Sequence, residues 1–528
     1  MVSKVHAAQI IGLKSDIVDV EVDLAKGLHS FSIVGLPDKA VEEAKDRINA
    51  AIKNAGFKPP QKGNKKIIVS LAPANIRKEG TAFDLAIAIG YLYATGEIRF
   101  RPAKKLFIGE LALGGDLRPV AGTLLLTKLA KEHGFEEIYV PLENAKEAAL
   151  IQGIKVYACS HLRQVADHLS PPSAVHDKEG VTESKNGFAA SRLFSIPPEL
   201  PTDIIWSEPA HLLDFADIKG QDAAKRGLEI AAAGGHNVSM FGPPGTGKTM
   251  LAKAFVSIMP PLETDEIIEV TGIHSASGAI QGNLVIHPPF RSPHHTSSYV
   301  SLVGGGAWPK PGEITLAHRG VLFLDEFPEF DKRVIEALRQ PLEDRVISVA
   351  RARGSMIFPA GFILVAAMNP CPCGHRGSTV KECICSSGQL QKYSRKVSGP
   401  IVDRIDLWLD VPALDHHELS DAGPAGEPSA KVRARIIEAR KRQAARFKSV
   451  NIKTNGEMGV RELKEHAPLD ENSVKILNDS AKRLGLSARA YHRVIKLART
   501  IADLFGEENI KQEHLLEALQ YRPKNLFE

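Results

Sequence analysis

From residue 1 to about residue 168 strand-like apolar runs alternate with helix-like amphipathic stretches. FSIVG (31–35) is a β-rich run, and LPDKAVEEAKDRINAAIKNAG after it carries a helical period that stops at Gly56. KKIIVSLAP (65–73) has strand character, and TAFDLAIAIGYLYATG (81–96) is apolar on every side, the pattern of a buried helix. KLFIGEL (105–111) and EEIYVPL (136–142) predict further strands around a helix near TLLLTKLAKEHG. The texture then breaks. PPSAVHDKEGVTESKNGFAASR (171–192) is polar with little apolar periodicity, which predicts a linker. From about residue 212 short apolar strands again alternate with helices, as in an α/β sheet domain. After about residue 412 the strand signals stop; a loop, ALDHHELSDAGPAGEPSAK, leads into helical segments such as VRARIIEARKRQAARF and SARAYHRVIKLARTIADLFG. No internal repeat is present. The division expected is 1–168, a linker over 169–205, a sheet domain over 206–411 and a helical domain over 412–528.

Composition narrows the class. At 528 residues the chain needs more than one core, and 43% apolar residues with both charge signs well represented mark a soluble globular protein. The net charge of +5 neither implies nor excludes a nucleic-acid partner. No run approaches the roughly 18 apolar residues of a membrane span, and the N-terminal sequence lacks a signal-peptide apolar region. A cytoplasmic location is therefore expected, where clustered cysteines are more often metal ligands or redox thiols than disulfides.

The strongest chemical signal is GPPGTGKT: Gly242, Pro243, Pro244, Gly245, Thr246, Gly247, Lys248 and Thr249. It lies between the strand NVSMF and the helix MLAKAFVSI, the strand–loop–helix context of a phosphate loop. Glycines there let backbone N–H groups converge on phosphate oxygens, and the helix N-terminus favours negative charge. Lys248 is expected on the β- and γ-phosphates and the Thr249 hydroxyl on Mg²⁺. The apolar strand GVLFLDEF ends in Asp325, a second Mg²⁺ group, and Glu326, a base for the attacking water. Such a pair at a strand end is weak evidence alone and strong evidence behind a phosphate loop.

Several further motifs follow in order: FRSPHHTSS (290–298), PGEITLAHRGVLFLDE (311–326), AAMNPCPCG (366–374), SGPIVDRIDL (398–407) and SARAYHRVIKLARTIADL (487–504). With GPPGTGKT they make nearly the whole chain resemble the bacterial competence-protein family, a branch of the magnesium-chelatase-like AAA+ ATPases. That resemblance implies an AAA+ P-loop α/β core with a C-terminal helical lid. It implies a sensor role for Asn369, an arginine finger at Arg404 donated across a subunit interface, and a second sensor at Arg489, with Arg493 as the fallback. It further implies a ring, most often a hexamer.

Two features bear on what the motor moves. GAIQGNLVIHPP and SYVSLVGGGAWPKPG suggest an inserted hairpin-like element, and RVISVARARGSMIFPAGF (345–362) a second hairpin just before the sensor strand. In related ring helicases this hairpin points into the pore, which would place Arg351 and Arg353 against a DNA backbone; the plain alternative is an exposed turn. The segment KVRARIIEARKRQAARFK (431–448) has eight Lys/Arg and one Glu, a basic face suited to phosphates, although most such faces are merely solvated. His294 and His295 suggest loop hydrogen bonding or part of the insert surface, not metal binding.

RKEGTAFDLAIAIG and GELALGGDLRPVAGTLLLTKLAKEHGFEEIYVPLENAKEA resemble the proteolytic domain of Lon, a ribosomal S5 domain 2-like α+β fold. Lon uses a serine and a lysine. This chain has Ala82 and Leu124 at the matching positions, so the resemblance implies the fold without the peptidase chemistry.

Four of the five cysteines, Cys371, Cys373, Cys383 and Cys385, form C-x-C-x9-C-x-C between Asn369 and Arg404. Four thiolates suit tetrahedral Zn²⁺; reduced metal-free thiols and a redox switch are the alternatives. In this position a metal is expected to brace the subunit interface. The sum is an ATP- and Mg²⁺-dependent, ring-forming motor on single-stranded or branched DNA, working with recombination proteins in natural transformation or homologous recombination. A protein-remodelling or chelatase-type ATPase acting on a protein partner is the alternative.

Overall fold

A computed structural model of the chain describes residues 2–62, 64–170, 195–204, 206, 213–280, 284–306, 310–351, 354–376, 381–413 and 426–523. The chain forms two compact units, Met1–Ile205 with Ile267–Val285, and Trp206–Glu266 with Ile286–Glu528. Residues 267–285 thus cluster with the first unit although they lie inside the sequence boundary 206–411. The linker expectation also needs correction. Residues 171–194 fall outside the described residues, but 195–202 are docked on the first unit: Ile196 is buried in its core and Glu199 N–H donates to the Val156 carbonyl at 2.7 Å.

The first unit is α+β. Its seven-stranded sheet runs Ser30–Val34, Lys65–Ala72, Lys14–Lys26, Ser3–Ile11, Lys105–Phe107, Glu137–Pro141, Lys155–Cys159. The two longest strands form a hairpin, Ser3 opposite Val22 through Ile11 opposite Lys14, in a stretch of residues 1–168 where the sequence reading names no strand. The signal is nonetheless local: in IVDVEVD, Val18, Val20 and Val22 are fully buried while Asp19, Glu21 and Asp23 alternate with them on the other face. The apolar segment Asp84–Thr95 is a helix buried from Asp84 through Leu92 that ends at left-handed Gly96, as its pattern requires. Leu124 is fully buried against Leu150 and Ile151, so the position that would hold a Lon-type base is packed as core.

The second unit is built on a five-stranded, all-parallel sheet in the order Phe290–Arg291, Val321–Leu324, Ile363–Met368, Val238–Phe241, Leu407–Asp410. In chain order this is 2-3-4-1-5. The order reverses between the first and fourth strands, and ligands bind outside the carboxyl ends of strands at such a switch point. Among the described residues, five α-helices follow, over Ser429–Arg446, Val460–His466, Glu471–Leu484, Ala488–Phe505 and Gln512–Gln520. Their Ile436, Leu497 and Ile501 share one core with Val238 and Leu407 of the sheet, because the apolar faces of these helices are buried against the sheet layer.

The pre-sensor hairpin is present as Val346–Arg351 antiparallel to Gly354–Pro359, closing at the pair Arg351–Gly354. Arg353 and the side chain of Arg351 lie outside the described residues. The other insert is only partly a hairpin. Tyr299–Val303 is a short helix, Gly304–Gly305 pairs with Lys310–Pro311, and no ladder forms among the described residues of GAIQGNLVIHPP. No helix is long and apolar enough to cross a membrane among the described residues.

Candidate nucleotide site and the arginine cluster

The first strand, Val238–Phe241, ends at Gly242, which admits no side chain: a Cβ there would sit 2.1 Å from the Val411 carbonyl oxygen. The chain then turns through Gly245 and Gly247, both with positive φ, into the helix Lys248–Ile258. Lys248 folds back over the loop, its Nζ donating to the carbonyls of Gly242 at 2.7 Å and Pro243 at 2.6 Å. Burial pushes the amine down to about 8, with Asp325 acting in the opposite sense. A buried ammonium satisfied by two neutral carbonyls is poised for stronger partners.

The third strand, Val321–Leu324, carries four buried apolar residues and delivers Asp325 beside the loop. The Thr249 hydroxyl donates to Asp325 Oδ2 at 2.8 Å, joining residues 76 positions apart. A hydroxyl and a carboxylate in contact at a phosphate loop are the oxygen donors a nucleotide-bound Mg²⁺ takes, so the residues fit that ion. Glu326 follows in left-handed backbone, φ 51°, with its side chain half-exposed. His295 Nδ1 lies 3.3 Å from Glu326 Oε2, and the His295 ring packs on that of His294 at 4.2 Å. The expectation for His295 is a loop hydrogen bond or a place on the insert surface, not a contact with Glu326. Only the parallel pairing of Phe290–Arg291 with Val321–Leu322 brings PHH to this strand end. The fourth strand, Ile363–Met368, runs beside the first and ends at Asn369, whose carbonyl accepts from the Tyr393 hydroxyl at 3.1 Å. Phosphate loop, Asp325, Glu326 and Asn369 therefore all follow the carboxyl ends of adjacent strands.

Arg404 and Arg489 are elsewhere. Arg404 precedes the last strand, and Asn237, which precedes the first, donates to its carbonyl at 3.3 Å. It thus sits at the amino end of the sheet, one strand length of about 13 Å from the phosphate loop. Its guanidinium donates to the Pro400 carbonyl at 2.8 Å and pairs with Glu343, while its buried Nε has no partner among the described residues. Arg489 pairs with the same Glu343 at 3.0 Å. Arg493, the fallback sensor, pairs with Asp406. Burial alone would raise the Asp406 carboxyl, but Arg493, His236 and the Asn237 N–H hold it below its usual value. These residues line one cavity of about 310 Å³. The structure unites Arg404, Arg489 and Arg493 with each other and not with Lys248 of the same chain.

The basic helix is corrected by its contacts. Arg435 pairs with Glu229 and Glu427, Arg446 with Asp503, and Arg440 and Arg442 donate to the carbonyls of Ala232 and Asp503. Those four cations hold the helix to its own unit, which takes half of the eight out of the face suited to phosphates. The four cysteine sulfurs do converge, all within 4.8 Å of one another.

A 2-3-4-1-5 parallel sheet with this phosphate loop, acidic strand end and following helical domain is an AAA+ core with its C-terminal helical domain. Family models agree: "Magnesium chelatase, subunit ChlI" matches residues 214–419, "Subunit ChlI of Mg-chelatase" 20–144, and "Magnesium chelatase, subunit ChlI C-terminal" 426–522. The chain is 42% identical to competence protein ComM of Haemophilus influenzae, over 98% of this chain and 97% of that one. It is 41% identical to YifB of Escherichia coli, covering 98% and 97%. It is 40% identical to YifB of Salmonella typhimurium, covering 98% and 96%. The chain belongs to the ComM/YifB family.

Proposed function

We propose that this protein is a ring-forming, Mg²⁺–ATP-driven DNA motor of the cytoplasm that unwinds or branch-migrates DNA in natural transformation or homologous recombination. The observation that carries it is the split of the catalytic set. Lys248, Asp325, Glu326 and Asn369 lie at the carboxyl end of the sheet, while Arg404, Arg489 and Arg493 lie at the amino end. One chain cannot bring both halves to one phosphate, but neighbours in a closed head-to-tail ring can. In each composite site Lys248 neutralises the β- and γ-phosphates, and Thr249 with Asp325 holds Mg²⁺. Glu326 takes the proton of the attacking water, which Asn369 orients. Arg404 of the neighbouring copy offsets charge as it develops on the γ-phosphate. Zn²⁺ on the four cysteines is a structural ion in this reading.

DNA as substrate is supported by the hairpin ending at Arg351 directly before the Asn369 strand, and by the relative named as a competence protein. A hairpin fused to a sensor strand can couple phosphate state to a cation that grips a backbone without reading bases. The test is ATP hydrolysis with and without single-stranded or forked DNA. DNA stimulates turnover, and Arg351→Ala abolishes the stimulation while leaving basal turnover. No stimulation together with no unwinding of a branched substrate sinks the DNA reading and turns attention to a protein partner.

A further inference from the structure

The four-cysteine cluster takes no part in the hydrolysis just described, yet it touches the nucleotide site at two points. Its sulfurs stand 3.3 Å apart for Cys371 and Cys373, 3.6 Å for Cys371 and Cys383, and 3.6 Å for Cys373 and Cys383. None is in a disulfide, which needs sulfurs about 2.05 Å apart. A tetrahedron of thiolates about 2.3 Å from Zn²⁺ has edges of about 3.8 Å. The three edges among Cys371, Cys373 and Cys383 fall within about 0.5 Å of that value, and Cys385 Sγ lies within 4.8 Å of all three. Around it the backbone makes a metal knuckle: the Arg376 N–H points at Cys371 Sγ at 3.3 Å, and the Gly374 N–H closes a turn on the Cys371 carbonyl at 2.9 Å. Soft sulfur donors in fourfold array select Zn²⁺ over the oxygen-loving Mg²⁺ of the ATP site.

The knuckle is wedged against the phosphate loop. Gly374 has φ +81°, and a Cβ on it would lie 2.7 Å from Pro244 Cδ, in the middle of GPPGTGKT. Upstream, only Pro370 separates the fully buried Cys371 from Asn369. Downstream, Ser386 caps the helix Ser387–Ser394, whose buried Tyr393 returns its hydroxyl to the Asn369 carbonyl. The segment between Asn369 and this helix has no helix or strand of its own among the described residues to hold it.

We propose that Cys371, Cys373, Cys383 and Cys385 bind one Zn²⁺, and that this site is a brace fixing the phosphate loop through Gly374 and Pro244 and fixing Asn369 through the Cys371 turn. The inference rests on the nucleotide-site reading above and adds to it a dependence of nucleotide binding on a second, structural metal. It also relocates the brace expected at a subunit interface: the knuckle lies against the chain's own phosphate loop.

The test uses the full-length protein. Elemental analysis finds one zinc per chain, and growth with cobalt gives the visible bands of a four-thiolate site. Removing zinc with a thiol-directed mercurial and a chromogenic chelator, then restoring Mg²⁺, weakens binding of a fluorescent ATP analogue by roughly ten- to a hundred-fold, the usual scale for loss of a supporting shell. Thiol regeneration and zinc return it. Cys385→Ser loses both zinc and nucleotide affinity. Because that variant can fail to fold, Gly374→Ala provides the second arm. It keeps all four ligands and one zinc per chain, yet binds nucleotide more weakly because the added methyl displaces Pro244. Absence of zinc with intact nucleotide binding overturns this inference and spares the ATPase reading. So does zinc removal, with circular dichroism unchanged, that leaves affinity unaltered. Zinc-loaded protein that binds no nucleotide overturns the ATPase reading itself.

Discussion

Arg404→Ala is the sharpest test of the split site. In the isolated chain Arg404 pairs with Glu343, whose side chain is 47% exposed and keeps Arg489 as a second partner. Only Glu343 of that pair is solvated; the buried Arg404 side chain also gives up its bond to the Pro400 carbonyl. That costs about 1–3 kcal/mol, which a domain stable by about 5–15 kcal/mol withstands, so the variant folds. Its phosphate loop and Asp325 are untouched, so nucleotide affinity stays within a few-fold. Hydrolysis, in contrast, loses the charge that an arginine finger supplies, about 10³- to 10⁵-fold. Glu326→Gln is equally inactive for a different reason, because its site lacks the base. Mixed in equal amounts and reassembled, the two variants place an intact Glu326 next to an intact Arg404 in about a quarter of the interfaces of a randomly filled ring. Steady-state phosphate release then recovers towards about a quarter of the parent rate, far above either variant alone. A mixture no faster than its components, under conditions where the parent proteins exchange subunits, refutes donation between copies.

Two further outcomes follow from charge burial. Because burial lowers Lys248 to about 8 and bound phosphates favour its charged form, nucleotide binding at about pH 8.5 takes up protons. Calorimetry in buffers of different ionisation enthalpy reads this uptake, and an enthalpy independent of buffer refutes it. The same depression means the unfolded chain holds this proton when the native one does not, so this group's contribution to stability rises with pH from about 8 towards the ordinary lysine value of 10.5. Asp503 is fully buried and accepts from Arg446, Arg499 and Asn455 at 2.5–2.9 Å. Asp503→Ala leaves the nearly inaccessible Arg499 without its counter-ion and destabilises the second unit by about 3–5 kcal/mol, seen as a lower thermal midpoint. An unchanged midpoint shows that the backbone carbonyls of Glu507 and Glu508 suffice for Arg499.

What could be read in advance were the segments whose demands are local. A phosphate loop needs glycines and a lysine within eight residues, a buried helix needs apolar residues on every side, and a hairpin needs two β-rich runs around a tight turn; each is written contiguously in the chain. The strand pair over Ser3–Lys26 has equally local alternation in IVDVEVD and was legible, though less conspicuous than the longer apolar runs. The rest depends on which strands lie side by side. The order of the parallel strands brings Thr249 to Asp325 from 76 positions away, sets His295 on Glu326, and sends Arg404 and Arg489 away from Lys248 to the other end of the sheet. Packing likewise decides that Arg435 and Arg446 of Ser429–Arg446 serve Glu229, Glu427 and Asp503 instead of a solvent-facing phosphate surface. The cysteines divide the same way: the motif C-x-C-x9-C-x-C names the ligands, but only the fold shows their turn lying against Pro244. Short-range steric rules write themselves into neighbouring letters, whereas the partners of a side chain are set by sheet order, which no window of sequence contains.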